Sequence, residues 1–174
     1  MSLDFLQHVI KGCERGSSFR IWEKDRGSLL KEVRIKGFSG EAILFSLDGK
    51  RELNPYLEGG PHQQTCDAVL ITRIKEQYYI IFIEIKSTSI DRKHIKTQFI
   101  STECYLDYCN EILKRFYSEN FLETCKKRFV VFHQAPRIHK TKTRPPSKSK
   151  IIHDSADQPK YIAYSTPLWI KKLL

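Results

Sequence analysis

The chain has 174 residues, 40% of them hydrophobic and 29% charged, which is enough to bury a core and is read as one domain over 1–174. No run reaches the ~18 apolar residues of a membrane span, and Met-Ser-Leu-Asp lacks the basic start and apolar run of a secretory signal. The five cysteines form no CxxC pair, against a disulfide framework or structural zinc, and the formal net charge of +10 favours a polyanionic partner over a membrane.

In chain order, Leu3, Leu6, Val9, Ile10 and Cys13 recur at helical spacing and predict a short helix over 3–14, ended by Gly16. Phe19–Trp22 and Leu30–Ile35 flank Asp25-Arg-Gly27 and read as a hairpin, though the second run also fits a helical turn. Ala42–Ser46 is a predicted strand turning at Asp48-Gly49. Residues 50–66, with Pro55 and Gly59-Gly60-Pro61, read as a loop delivering the chain to Asp67.

The next two runs carry the chemistry. Tyr78-Tyr-Ile-Ile-Phe-Ile-Glu84-Ile-Lys86 is apolar on both faces until its last turn, the pattern of a strand in the middle of a covered sheet. Asp67–Arg73 is a second strand, joined to it by the polar connection Ile74–Gln77. If the hairpin closes symmetrically about Lys75-Glu76, Asp67 stands opposite Glu84, with Cβ atoms ~5 Å apart. Two carboxylates so close repel unless one keeps its proton or a cation lies between them. Mg²⁺ suits a site of one or two carboxylates completed by phosphate oxygens. Lys86 shares the face of Glu84, Tyr78, Ile80 and Phe82, and is expected beside such a cation without competing for it.

Ser87-Thr-Ser-Ile-Asp91 supplies a helix cap. Ile95, Phe99, Thr102, Leu106, Cys109, Leu113 and Phe116 then mark one face of a helix of about 25 residues. Phe129–Phe132 and Tyr161–Tyr164 read as further strands, and Leu168-Trp-Ile as an apolar tail. Between Lys126 and Lys150 lie nine basic residues and no acid. Lys126, Lys127 and Arg128 open that run, and Arg137, Lys140, Lys142, Arg144, Lys148 and Lys150 fall in a basic loop at about 135–155. That is the footprint of phosphate-backbone binding, and equally of a solvated loop or a patch for an acidic protein.

Acid-x-Lys occurs three times, as Asp48-Gly-Lys50, Glu84-Ile-Lys86 and Asp91-Arg-Lys93, but only Glu84 ends a buried strand opposite an aspartate. Asp67…Glu84-Ile85-Lys86, on adjacent strands with a long helix after, resembles the PD-(D/E)xK nuclease superfamily over roughly 59–117. Cys66 stands where that family often has proline. The resemblance implies a three-layer restriction-endonuclease-like α/β domain, a central mixed sheet flanked by helices. It further implies hydrolysis of phosphodiester bonds, DNA ahead of RNA, with Mg²⁺ or Mn²⁺ held by Asp67, Glu84 and the Ile85 carbonyl. Lys86 would orient the attacking water. Gln98 is a secondary candidate for positioning substrate or water, and Glu41 for a further acidic ligand, with Glu14, Glu32 and Glu58 also open. Homodimerisation is common in the fold, and the expected location is cytoplasmic, nucleoid or nuclear. The alternatives are a non-cutting nucleic-acid binder of the same fold and a basic protein-interaction module.

Overall fold

The computed structural model describes residues 3–23, 28–38, 40–47, 60–87, 90–134, 152–164 and 167–174. It is a mixed α/β structure built on a central mixed sheet. The central strands are β1 (Glu14–Arg15), β4 (Ala42–Phe45), β5 (Ala68–Ile74), β6 (Gln77–Lys86), β7 (Lys126–Gln134) and β8 (Lys160–Tyr164), hydrogen-bonded in that order. The pairs from β1 to β6 are antiparallel, and β6–β7 and β7–β8 are parallel. The change of sense needs a crossover, which α2 (Arg92–Tyr117) and α3 (Phe121–Thr124) supply between β6 and β7. A second sheet joins β2 (Ser18–Trp22), β3 (Glu32–Lys36) and β9 (Leu168–Trp169).

The period of two in the apolar strands fills two cores. Tyr78, Ile80, Phe82, Phe129 and Val131 face α1 (Asp4–Val9), α2 and α3. Ile81, Ile83, Ile85, Val130 and Phe132 face the small sheet, against Phe19, Ile21, Val33 and Ile35. Among the described residues the α-helices therefore lie on one face, and the other is covered mainly by the small sheet. This corrects the expected layering, in which helices flank both sides. β2 alternates buried and exposed residues, and its one apolar stripe packs on that face. The run 30–35 is likewise a strand rather than a helical turn, paired Phe19↔Ile35 and Ile21↔Val33.

Two helical expectations also change. α1 stops at Val9, and Gly12, with φ 82, turns the chain so that Glu14 lies in β1. Phe116 is exposed, although Leu113 before it on the same helix is buried. The inner face of α2 is as expected, with Ile95, Phe99, Thr102, Leu106, Cys109 and Leu113 buried. The turn at Asp48-Gly49, Asp25–Gly27 and most of residues 50–66 lie outside the described residues. Among the described residues no helix is long and apolar enough to cross a membrane.

The start of α2 sets its register toward the site, and Asp91 fixes that start by accepting from the backbone N–H groups of Lys93 and His94 at 3.0 and 3.1 Å. Asp91→Ala is expected to cost about 1 kcal/mol. Urea denaturation should show a lower midpoint with an unchanged m-value.

Candidate functional site

The β5–β6 hairpin closes as the symmetric register requires. Lys75 takes the left-handed conformation of a tight turn at φ 56, and Ala68 pairs with Ile83. One residue further out, the ladder gives way to side chains. The Asp67 backbone N–H donates to Glu84 Oε2 at 3.3 Å, and the Ile85 N–H donates to Asp67 Oδ2 at 2.6 Å. Each carboxylate thus takes up a donor from the opposite strand, and neither can shift without freeing one.

Glu84 is 1% exposed, on the α2 face of the sheet, and its Oε1 lies 2.5 Å from Lys86 Nζ. The lysine is therefore nearer than expected: it pairs directly with Glu84 rather than standing beside an open position. Burial pushes the Glu84 carboxyl up, while Lys86, the Gln98 amide and the Asp67 N–H work the other way without cancelling it. Asp67 is pushed well above the usual carboxylate range, first by burial and then by the Glu84 charge, with the Ile85 N–H opposing. Burial acts against the Lys86 ammonium, but Glu84 outweighs it and the pKa ends above the ordinary lysine value. Two acids thus face one close base, and both carboxyls are held above their ordinary range, burial first in each case.

Gln98 is buried one turn inside α2, and its Nε2 donates to the Thr65 carbonyl at 3.0 Å. Thr102, one turn on, accepts from the Cys66 N–H at 3.0 Å. Together they hold the chain that leads into Asp67. The Gln98 Oε1 is buried without a hydrogen-bond partner. Burial pushes the neighbouring Cys66 thiol far above its ordinary range, so it stays neutral.

Glu41 does not join the pair. It lies before β4 at the other end of the strands, where Oε2 accepts from the Leu3 N–H at 3.3 Å and its carbonyl accepts from Arg73. Glu32 is taken up by Arg34 and Arg20 on the small sheet. Glu14 shares with Asp67, Arg20, Trp22 and Ser46 a cleft of about 200 Å³ that opens on the site. Glu58 and the six basic residues Arg137, Lys140, Lys142, Arg144, Lys148 and Lys150 lie outside the described residues. Lys126, Lys127 and Arg128 are level with Tyr79–Ile81, so the start of the basic run stands at the wrong end of the sheet for the site. Lys127 is paired there with Glu103 at 2.9 Å, and Arg128 lies over the Tyr79 ring. The chain does leave β7 at Gln134 beside the site, since His133 pairs with Lys86.

Two nearby groups have no signature in the sequence. Glu23, just past β2, is close enough for its charge to push Asp67 and Lys86 upward. His133 is level with Lys86 on the adjacent strand, about 5 Å across. Only the packing of one sheet on another, or a parallel register, brings these in, and neither leaves a local motif.

A hard divalent cation fits the donor set in kind. Asp67, Glu84 and the Ile85 carbonyl offer oxygen alone, and the unpartnered Gln98 Oε1 is a further oxygen at the same place. Among the described residues no three His, Cys, Asp or Glu side chains gather as a metal cluster, so substrate or water oxygens would complete the shell. Compared with protein-family models, curated proteins and solved structures, the chain matches none.

The raised carboxyls fix the sign of a pH effect. Their folded pKa values lie above the ordinary 3.8 and 4.5, so the folded chain binds more protons than the unfolded one in that window. Without divalent cation, stability should be full below the ordinary carboxylate range and fall as pH rises through the folded values. Asp67→Asn keeps an acceptor for the Ile85 N–H and removes the charge. Melting temperatures across pH should show the variant more stable than the parent at neutral pH and flatter in its profile.

Proposed function

We propose that the protein is a Mg²⁺- or Mn²⁺-dependent nuclease of restriction-endonuclease-like fold, hydrolysing phosphodiester bonds in nucleic acid, DNA ahead of RNA. The observation that carries this reading is the meeting of Asp67 and Glu84 through reciprocal backbone hydrogen bonds, with Lys86 at 2.5 Å from Glu84. A structural ion pair needs one acid for one base. A second buried acid raises the cost of the apo state and has use when a multivalent cation arrives.

Asp67, Glu84 and the Ile85 carbonyl would hold the ion. When bound, it supplies Lewis acidity, lowering the pKa of water and offsetting charge that gathers on the phosphate. The chain's own residues do the rest. The Ile85 N–H keeps the Asp67 carboxylate aimed, and Gln98 and Thr102 keep the Asp67 backbone from backing away. Lys86, whose ammonium lies against Glu84, would orient water and meet developing negative charge. The cleft with Trp22 and Arg20 gives a strand access to the Asp67 side. β7 ends at Gln134, with His133 level with Lys86, and the basic residues that follow it in sequence would contribute charge for the polyanion.

A non-cutting nucleic-acid binder of the same fold is the second reading, and the close Lys86–Glu84 pair favours it, because the lysine already neutralises one acid. Cleavage decides between them. Supercoiled, linear, branched and single-stranded substrates incubated with Mn²⁺ should be cut, and EDTA should stop it. Asp67→Ala and Glu84→Ala should each lower the rate by at least about a hundredfold while leaving binding largely intact. Binding that is equal in EDTA and Mn²⁺, with no cutting of any substrate, would leave the second reading in its place.

A further inference from the structure

A cavity of about 460 Å³ lies away from the carboxylates, where the first turns of α2 face the chain leading into β8. Arg92, Lys93, Lys96, His153, Asp157 and Tyr161 are among the residues that line it. Three cations stand against one carboxylate. Asp157 is taken up by Lys96, at 2.5 Å. The Arg92 guanidinium lies over the Tyr161 ring, 5.7 Å from its centroid, which holds it at the wall. Lys93 is exposed and has no carboxylate partner among the described residues. His153 is braced by the contact of its Nδ1 with the Gln158 carbonyl at 3.2 Å. Asp91 already satisfies the backbone donors of the helix start, so the positive character of the cavity is that of its side chains.

Position gives this cavity its meaning. Tyr161 pairs with Val131, and Val131 pairs with Glu84, so the three lie on one rung of the sheet and share its α2 face. Two strand spacings put Tyr161 about 10 Å from Glu84. Neighbouring phosphates of one strand lie farther apart than its axial rise of roughly 3.4 Å, because the backbone winds round the axis, so that span is about one to two phosphates.

We propose that this cavity is a phosphate subsite: it takes a backbone phosphate of the strand held at Asp67 and Glu84, about one to two nucleotides from the scissile bond. Arg92 and Lys93 bind the phosphate, Tyr161 positions Arg92, and the Lys96–Asp157 pair shapes the wall. The subsite rests on the nuclease reading for the identity of its ligand, but not for any metal chemistry.

The test is fluorescence anisotropy of the full chain in EDTA with a labelled single strand of about 12 nucleotides, between about 50 and 200 mM salt. Arg92→Ala/Lys93→Ala changes two exposed residues and should leave the fold intact. It should weaken binding about tenfold at low salt and flatten the slope of log K against log salt by about 0.7, the change for one phosphate no longer neutralised on a single strand. Lys114→Ala/Arg115→Ala removes the same charge about 33 Å along the helix and should change neither. Equal effects in the two variants, or no effect in the first, would overturn the subsite. Inorganic phosphate should compete with the strand more than chloride of equal ionic strength. If phosphate instead raises the melting temperature of the parent but not of the first variant, with strand affinity untouched by either, the cavity serves a free phosphate and the strand proposal fails. Cutting with Mn²⁺ by a variant whose binding is unchanged would sink the subsite alone and leave the nuclease reading standing.

Discussion

Two carboxylates sit at the inner end of a buried hairpin with one lysine close to them. Taking a charge out of water costs several kcal/mol, roughly, unless a partner compensates it. Lys86 compensates Glu84, and the Ile85 N–H goes part of the way for Asp67. The remainder is met by a proton retained on the pair or by an added cation. Everything else in the structure serves to keep those two acids from moving apart.

The support comes from three directions. The hairpin register sets Asp67 against Glu84 from the turn at Lys75, some distance away. The stacked Phe82 and Phe129 rings, 4.6 Å apart, and the edge of Phe99 against Phe129 lock β6, β7 and α2 into one block. From that block Gln98 and Thr102 reach the backbone just ahead of Asp67. On the reverse face, Ile81, Ile83 and Ile85 of β6 pack on the small sheet, which brings Glu23 within electrostatic range. A rigid scaffold can hold a strained charge distribution that a loop would relax.

What could be read from the residues follows the range of the forces involved. The β6 strand, the Asp67–Glu84 register and the Asp91 cap depend on alternation and short turns, and they are legible in the chain. The face composition of α2 is legible for the same reason, save Phe116, which is exposed. The covering of the reverse face by β2, β3 and β9 is not, because β3–β9 pairing joins segments more than a hundred residues apart and leaves no local pattern. Glu41 fails as a candidate for a related reason: its place at a strand start says nothing about which end of the sheet that start occupies. The close approach of Lys86 to Glu84 is hidden too, because a shared face does not tell whether two side chains touch.

The account stands on the capacity of Asp67 and Glu84 to hold one divalent ion. Electron paramagnetic resonance of free Mn²⁺, titrated against the purified chain, measures that directly. One Mn²⁺ should leave the free signal per chain, Mg²⁺ should displace it, and Asp67→Asn and Glu84→Gln should each abolish the uptake. A free signal undiminished by the protein, or uptake by both variants equal to that of the parent, would contradict it.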